Sequence, residues 1–268
     1  MALKDKGVVN RAIVTPDKHF PLHDQASINV LCRTIEIVKP DIYVDLGDIG
    51  EWSAFSAWKY KRKKAPPLEF MIPDMDADVD DVNKCMNQID ESLDKVKCKD
   101  KYITEGNHDN WLNMFVQEYP YLPQYTFQKA VKLKDRGYTY YPNGKKLKIG
   151  KLKFYHGDQY GGMYHAASHL RNMGCSVMYG HHHDLQQISV THEDGPKSAW
   201  SIGCLKDMSS EANTWLKGRN VNWAHAFAIV DFMRGGNFTV HIIQIIKGKT
   251  SLWGEEIDGN KKTKYSLS

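Results

Sequence analysis

The sequence lacks the features that mark several protein classes. No apolar run approaches the ~20 residues needed to span a bilayer, and the amino-terminal stretch MALKDKGVVNRAIV has no long apolar core or cleavage site of a signal peptide. Cysteine is scarce: five residues, at positions 32, 85, 98, 175 and 204, in a chain of 268. The odd count, wide spacing and lack of any C-x-x-C argue against a disulfide framework and a zinc finger, and fit a reducing compartment. Neither sign of charge dominates. Lys+Arg 36 against Asp+Glu 32 leaves a net +4, far below the density of a nucleic-acid-coating protein. Internal repeats, low-complexity tracts and an interdomain linker are also lacking. The expectation is one soluble, cytoplasmic domain over residues 1–268, with the polar stretch 254–268 as a flexible tail.

What is present begins with a strand-like run at 11–15 that stops at Pro16. Asp24 is a good N-cap for a helix whose stripe is Ile28, Leu31, Ile35 and Val38. Residues 42–46 read as a second strand and 53–64 as a short helix. After the break at Ala65-Pro66-Pro67, five aspartates at 74, 76, 78, 80 and 81 crowd the expected start of a helix striped by Val79, Val82, Met86, Ile89, Leu93 and Val96. An EF-hand reading of these acids fails, because glycine and the closing Glu are out of register. A third strand covers 102–104. This alternation predicts a parallel sheet with crossover helices. Further on, strands are expected at 138–141, 147–149, 152–156, 176–179, 185–191, 198–202, 224–231 and 238–246, with one helix at 164–173; this half reads as mostly antiparallel. Two sheets face to face with helices outside satisfy both halves.

Groups of the metal-binding type cluster just past the ends of these strands: Asp17 and His19, then Asp48, then Asn107, His108 and Asp109, then His156, then His181 and His183. In open α/β sheets that edge is where ligands bind. Carboxylate, imidazole and amide oxygen together suit a divalent first-row metal, and the absence of thiolate argues against structural zinc.

The order Asp17-Lys18-His19, Gly47-Asp48, Gly106-Asn107-His108-Asp109, His156-Gly157 and Gly180-His181-His182-His183 resembles the calcineurin-like metallophosphoesterase superfamily. The wording at 17–24, the block Gly47–Trp52 and Asn222–Phe227 look like its phage and bacterial branch of uncharacterised phosphoesterases. The resemblance implies a four-layer αββα sandwich and a two-metal centre. One ion would be held by Asp17, His19, Asp48 and His183, the other by Asp48, Asn107, His156 and His181, with Asp48 bridging. Manganese is the expected metal, with iron, zinc, cobalt, nickel or magnesium as alternatives. The implied chemistry is in-line attack on phosphorus by a metal-activated hydroxide. His108 is the implied catalytic acid, with Asp109 orienting its ring. His23, Asn107 and His165 are candidates for substrate contact, and Asp158 for orienting a ligand; His169, four residues from His165 on one helical face, shares that candidacy, though surface or packing is the plainer reading of both, while His182 is expected to be a non-ligand and Asp45 a buried hydrogen-bonded group.

The arginine that grips a phosphomonoester in the phosphoprotein phosphatases of this superfamily is missing after Asp48, where Ile49-Gly50-Glu51-Trp52 stand. A site with metals but few other cations suits a phosphodiester monoanion. The expected activity is therefore phosphodiester hydrolysis on a nucleotide, DNA or RNA, without a membrane partner, in the host cytoplasm if the chain is phage-encoded. A phosphomonoesterase and a non-catalytic nucleic-acid-binding protein that keeps the metal site are the alternatives. Two basic stretches could follow a phosphate backbone, though a solvated charged face is the plainer reading: Lys59, Lys61, Arg62, Lys63 and Lys64 with Trp58 and Tyr60, and Lys145, Lys146, Lys148, Lys151 and Lys153. Tyr119, Tyr121, Tyr125 and Phe127 are expected to pack a loop near the mouth of the site.

Overall fold

The computed structural model describes residues 10–56 and 64–261. In chain order the regular elements are β1 (Asn10–Thr15), α1 (Gln25–Val38), β2 (Ile42–Asp45), α2 (Leu68–Lys95), β3 (Asp100–Thr104), α3 (Asn107–Glu118) and α4 (Phe127–Ala130). There follow β4 (Tyr138–Tyr141), β5 (Leu147–Ile149), β6 (Leu152–Phe154), α5 (His165–Met173), β7 (Ser176–Tyr179), β8 (Leu185–His192) and β9 (Gly195–Ile202). The last four are β10 (His225–Phe232), β11 (Phe238–Ile245), β12 (Lys249–Leu252) and β13 (Glu255–Asp258).

These strands build two large mixed sheets. The first has the order β11-β10-β1-β2-β3-β4, in which β1 to β4 run parallel and β10 and β11 are antiparallel additions. The second has the order β5-β6-β7-β9-β8. Alternation along β1 explains how the sheets stack. Ala12 and Val14 face the second sheet, meeting Phe154, Met178 and Ile202, while Ile13 faces the helices with Ile28, Leu31 and Ile35. A third apolar cluster, with Leu170, Val177 and Ala199, joins α5 to the outer face of the second sheet. Three apolar seams between four layers make an αββα sandwich, as the sequence predicts.

Asp24 does cap α1, its Oδ1 accepting the Ser27 N–H at 2.7 Å. The second sheet is mixed, with β6–β7 and β7–β9 parallel and β5–β6 and β8–β9 antiparallel. Other details differ from expectation. Helix α2 starts at Leu68, so the aspartates lie inside it and not at its start; Asp78 accepts the Ala54 N–H and Asp76 the Tyr125 hydroxyl. Where a helix was expected over 53–64, Ser53–Phe55 forms a turn, and residues 57–63, with most of the first basic stretch, lie outside the described residues. The expected flexible tail is ordered over its first part. Trp253 and Gly254, both at positive φ, turn the chain so that β13 pairs with β12. Ile257 is then buried, and Asn29 of α1 donates to the Gly259 carbonyl at 2.8 Å.

Candidate metal centre

The loops after β1, β2, β3, β6 and β7 meet at one end of the sandwich. Their backbones are unusual: Asp17, His19, Asp48, His181 and His183 all have φ between 25° and 67°. Non-glycine residues hold this left-handed region only when their surroundings dictate it, at a cost of about 1–3 kcal/mol each. The surroundings are well defined. Lys18 and His19 both donate backbone N–H groups to the Asp48 carbonyl at 3.0 Å, and the His181 N–H reaches both oxygens of Asp17 at 2.9 Å. Glycine is needed beside the carboxylates. A Cβ on Gly106 would sit 2.1 Å from Asp48 Oδ1, and one on Gly180 2.1 Å from Asp17 Oδ2.

Two donor groups result. In the first, Nε2 of His19 and Nε2 of His183 are 3.2 Å apart, with Asp17 Oδ1 3.5 Å from His183 and Asp48 Oδ2 3.7 Å from His19. In the second, His156 Nε2 and His181 Nδ1 are 3.2 Å apart and lie 2.9 and 2.8 Å from Asn107 Oδ1. Asp48 Oδ2 is 3.3 Å from His156 Nε2 and so belongs to both groups. Its other oxygen, Oδ1, accepts the His108 N–H at 2.9 Å. Both groups, taken as Asp17–His19–His183 and Asp48–His156–His181, bring their ligand-type atoms within 4.8 Å of one another and could hold a metal ion.

The electrostatics suit a cation. Burial pushes the His19 imidazole down to about 3. Burial and the neighbouring His156 push His181 down to about 4. Both rings are thus held neutral, the form that ligates metal. Burial alone would raise the Asp48 carboxyl, but His156, His108 and His19 outweigh it and hold Asp48 well below the usual carboxylate range. Burial likewise opposes a charge on His156, yet Asp48, Asp17 and Asp158 raise it to about 10. The second group therefore attracts positive charge strongly, and a divalent ion is a natural competitor for that proton. His156 Nδ1 is tied to the Leu46 carbonyl at 2.9 Å, which directs Nε2 into the group.

His108 lies at the rim, edge-on to His19 with ring centroids 4.7 Å apart and tilted 32° against Trp111 at 4.0 Å. Its Nδ1–H donates to the Glu51 carbonyl at 3.0 Å. Asp109 does not orient it, contrary to expectation. The Asp109 carboxylate is fully buried on the other side of α3, where it accepts from Trp52 Nε1 at 2.9 Å and from the Ile49 and Gly106 N–H groups at 3.1 Å. Burial and the nearby Asp48 raise it to about 7. The sequence reading missed Glu51 and Lys206. Glu51 Oε2 is 2.8 Å from His19 Nδ1, and the same carboxylate pairs with the buried Lys206 ammonium. Glu51 was visible only as part of the Gly47–Trp52 block, and Lys206 had no sequence signal.

The remaining expected residues have local partners. His23 contacts the Pro21 carbonyl through Nδ1 and Gln25 Oε1 through Nε2, each at 3.0 Å, so its ring is occupied by its own loop. His165 is buried between Tyr179 Oη at 2.8 Å and Asp184 at 3.0 Å, and so is not available to a substrate. It stacks on His182 at 3.8 Å. With His169 these rings form a third histidine group behind His181, and Tyr155, Tyr160, Tyr179 and Asp184 supply hydrogen-bond partners to it. Asp158 accepts from its neighbour Gln159. Asp45 is buried and bound by Lys18 Nζ at 2.8 Å and the Gly47 N–H at 3.1 Å. Lysines 145, 146, 148, 151 and 153 lie on and around the β5–β6 hairpin, with Lys146 Nζ 5.7 Å from the Tyr155 ring centre. Tyr125 and Phe127 are buried, whereas Tyr121 is exposed.

No protein-family model matches the chain. Among curated proteins it is similar to the Gene 54 proteins of Mycobacterium phages L5 and D29, each 24% identical over 258 residues, covering 91% of this chain and 97% of the relative. Among solved structures, Vps29 of Chaetomium thermophilum aligns over 92% of this chain and 97% of its own, with 12% identity and a TM-score of 0.45. Among the described residues no helix is long and apolar enough to cross a membrane.

Proposed function

We propose that the chain is a dinuclear metal-dependent phosphoesterase of the calcineurin-like superfamily and that it hydrolyses phosphodiesters of nucleotides or nucleic acid. The observation that carries the reading is the pair of donor groups that share Asp48 Oδ2, 3.3 Å from His156 and 3.7 Å from His19. Asp17, His19, Asp48 and His183 would hold one ion; Asp48, Asn107, His156 and His181 would hold the other. All donors are oxygen or imidazole nitrogen, which suits manganese and the other first-row divalent ions. Two such ions supply charge neutralisation of the phosphoryl group and an activated water.

The chain's own residues do the rest. Asp48 offers its shared oxygen because the His108 N–H occupies the other. His108 gives its Nδ1–H to Glu51, so Nε2 is the atom that can pass a proton to the leaving oxygen. Trp111 and His19 hold the ring in place. The diester preference rests on charge. The two lysines buried beside the site are already neutralised, Lys18 by Asp45 and Lys206 by Glu51. A monoanion asks for less countercharge than a dianion. The phage origin of the two relatives supports action in a host cytoplasm.

Manganese-dependent hydrolysis of bis(p-nitrophenyl) phosphate beside p-nitrophenyl phosphate tests this. Faster turnover of the diester, lost in Asp48→Asn, is expected. Preference for the monoester would make the protein a phosphatase, and no turnover of either by metal-loaded protein would remove the enzymatic reading.

A further inference from the structure

We propose that Trp223 and Trp215 form a stacking platform for an unpaired nucleobase at the rim of the metal centre. The substrate class is then single-stranded nucleic acid rather than a small phosphodiester; the inference rests on the phosphoesterase reading above.

The platform is built into the loop 203–224 between β9 and β10. That loop is stitched to the proposed ligands. The Ala224 N–H donates to the His183 carbonyl and the Gly203 N–H to the Asp184 carbonyl, both at 2.9 Å, and Trp223 pairs with Asp184 as an isolated antiparallel bridge. The Leu205 N–H donates to the Asp17 carbonyl at 2.9 Å. Inside the loop the buried Asn213 amide donates to the carbonyls of Asp207 and Ser209, each at 2.8 Å. The backbone at Trp223 is therefore tied to the donor loops, and the stretch before Trp215 is held by contacts within its own loop.

The rings form a path from the metal centre to solvent. Trp223 meets His183 with ring centroids 4.7 Å apart, and Trp215 meets Trp223 at 6.0 Å. Trp223 is half-buried, whereas Trp215 is 56% exposed. Exposed cations follow in the same loop, Lys217 and Arg219. Indole faces with cations beside them are the composition that binds single strands, because every base has a π-face and every linkage a negative charge. A diester held at the two donor groups would have its neighbouring base within reach of this path.

The test is fluorescence anisotropy of the full chain with a 5′-fluorescein oligothymidine of about eight nucleotides. It is run in EDTA, so that it reads the platform without metals or cleavage. Trp215→Ala is expected to weaken binding about 5- to 150-fold, the loss of one stacked base. Trp215→Phe should restore most of it. An abasic chain of the same length should bind the natural protein as weakly as oligothymidine binds Trp215→Ala. Trp215 is exposed, so its truncation leaves no cavity, and circular dichroism checks the fold. Equal binding of oligothymidine and the abasic chain, or equal binding by Trp215→Ala and the natural protein, overturns the platform. If that happens while bis(p-nitrophenyl) phosphate is still hydrolysed, the platform fails and the phosphodiesterase stands. Base-dependent binding without hydrolysis would keep the platform and remove the enzyme.

Discussion

Asp109 offers a sharp test, because sequence and structure assign it different work. As a partner of His108 it would matter to turnover and little to stability. In the structure it is a buried acceptor for three donors: Trp52 Nε1–H, the Ile49 N–H and the Gly106 N–H. Asp109→Ala leaves all three buried without a partner. Each such group costs about 1–3 kcal/mol, so the three together cost about 3–9 kcal/mol, a large part of the ~5–15 kcal/mol that holds a domain together. For a chain of this size 1 kcal/mol lowers Tm by about 2–4 °C, so a fall of at least about 6 °C is predicted. Differential scanning calorimetry in EDTA measures it without metal linkage. Trp52→Phe removes one donor instead of the acceptor, so the double variant should lose less than the two single variants combined. A Tm for Asp109→Ala within about 2 °C of the natural protein would refute the reasoning.

Other expectations follow from the same contacts. Glu51→Gln withdraws the carboxylate from His19 Nδ1 and leaves Lys206 buried without its counter-ion; metal affinity should fall about 10- to 100-fold by titration calorimetry, and an unchanged affinity would free His19 from Glu51. Gly180→Ala forces a Cβ against Asp17 Oδ2 and should cut metal content measured after dialysis, whereas Gly144→Ala, at a turn with no atom within 4 Å, should not. His108→Ala should keep its metal and slow turnover about 10²- to 10⁴-fold, most for poor leaving groups; equal slowing across leaving groups would end its role as the acid. Asp24→Ala should cost about 0.5–2 kcal/mol in urea denaturation, through loss of the α1 cap.

The strand ends were legible because short apolar runs stop at Gly-Asp, Gly-Asn-His-Asp and Gly-His, and the candidate donors stand there. Orientation within a helix was not. His108 and Asp109 are neighbours in sequence, but adjacent helical residues point about 100° apart, so one faces the site and the other the core. Helix α3 itself was hidden by its low-propensity polar residues Asn107, Asn110 and Asn113. The aspartates suggested that α2 began later than it does; the helix holds them, and Pro73, near its amino end. The Glu51–Lys206 pair joins positions 155 apart, and nothing local announces such a contact. The β12–β13 hairpin went unread because its strands are short and polar, and its signal is the Trp253-Gly254 turn.

The central claim is that two donor groups sharing Asp48 each take a divalent ion. Metal content of manganese-reconstituted, dialysed protein, measured by inductively coupled plasma mass spectrometry, tests it most directly. About two ions per chain are predicted for the natural protein, and at most one for Asp48→Asn. No bound metal in the natural protein, or an undiminished content in Asp48→Asn, would contradict the account.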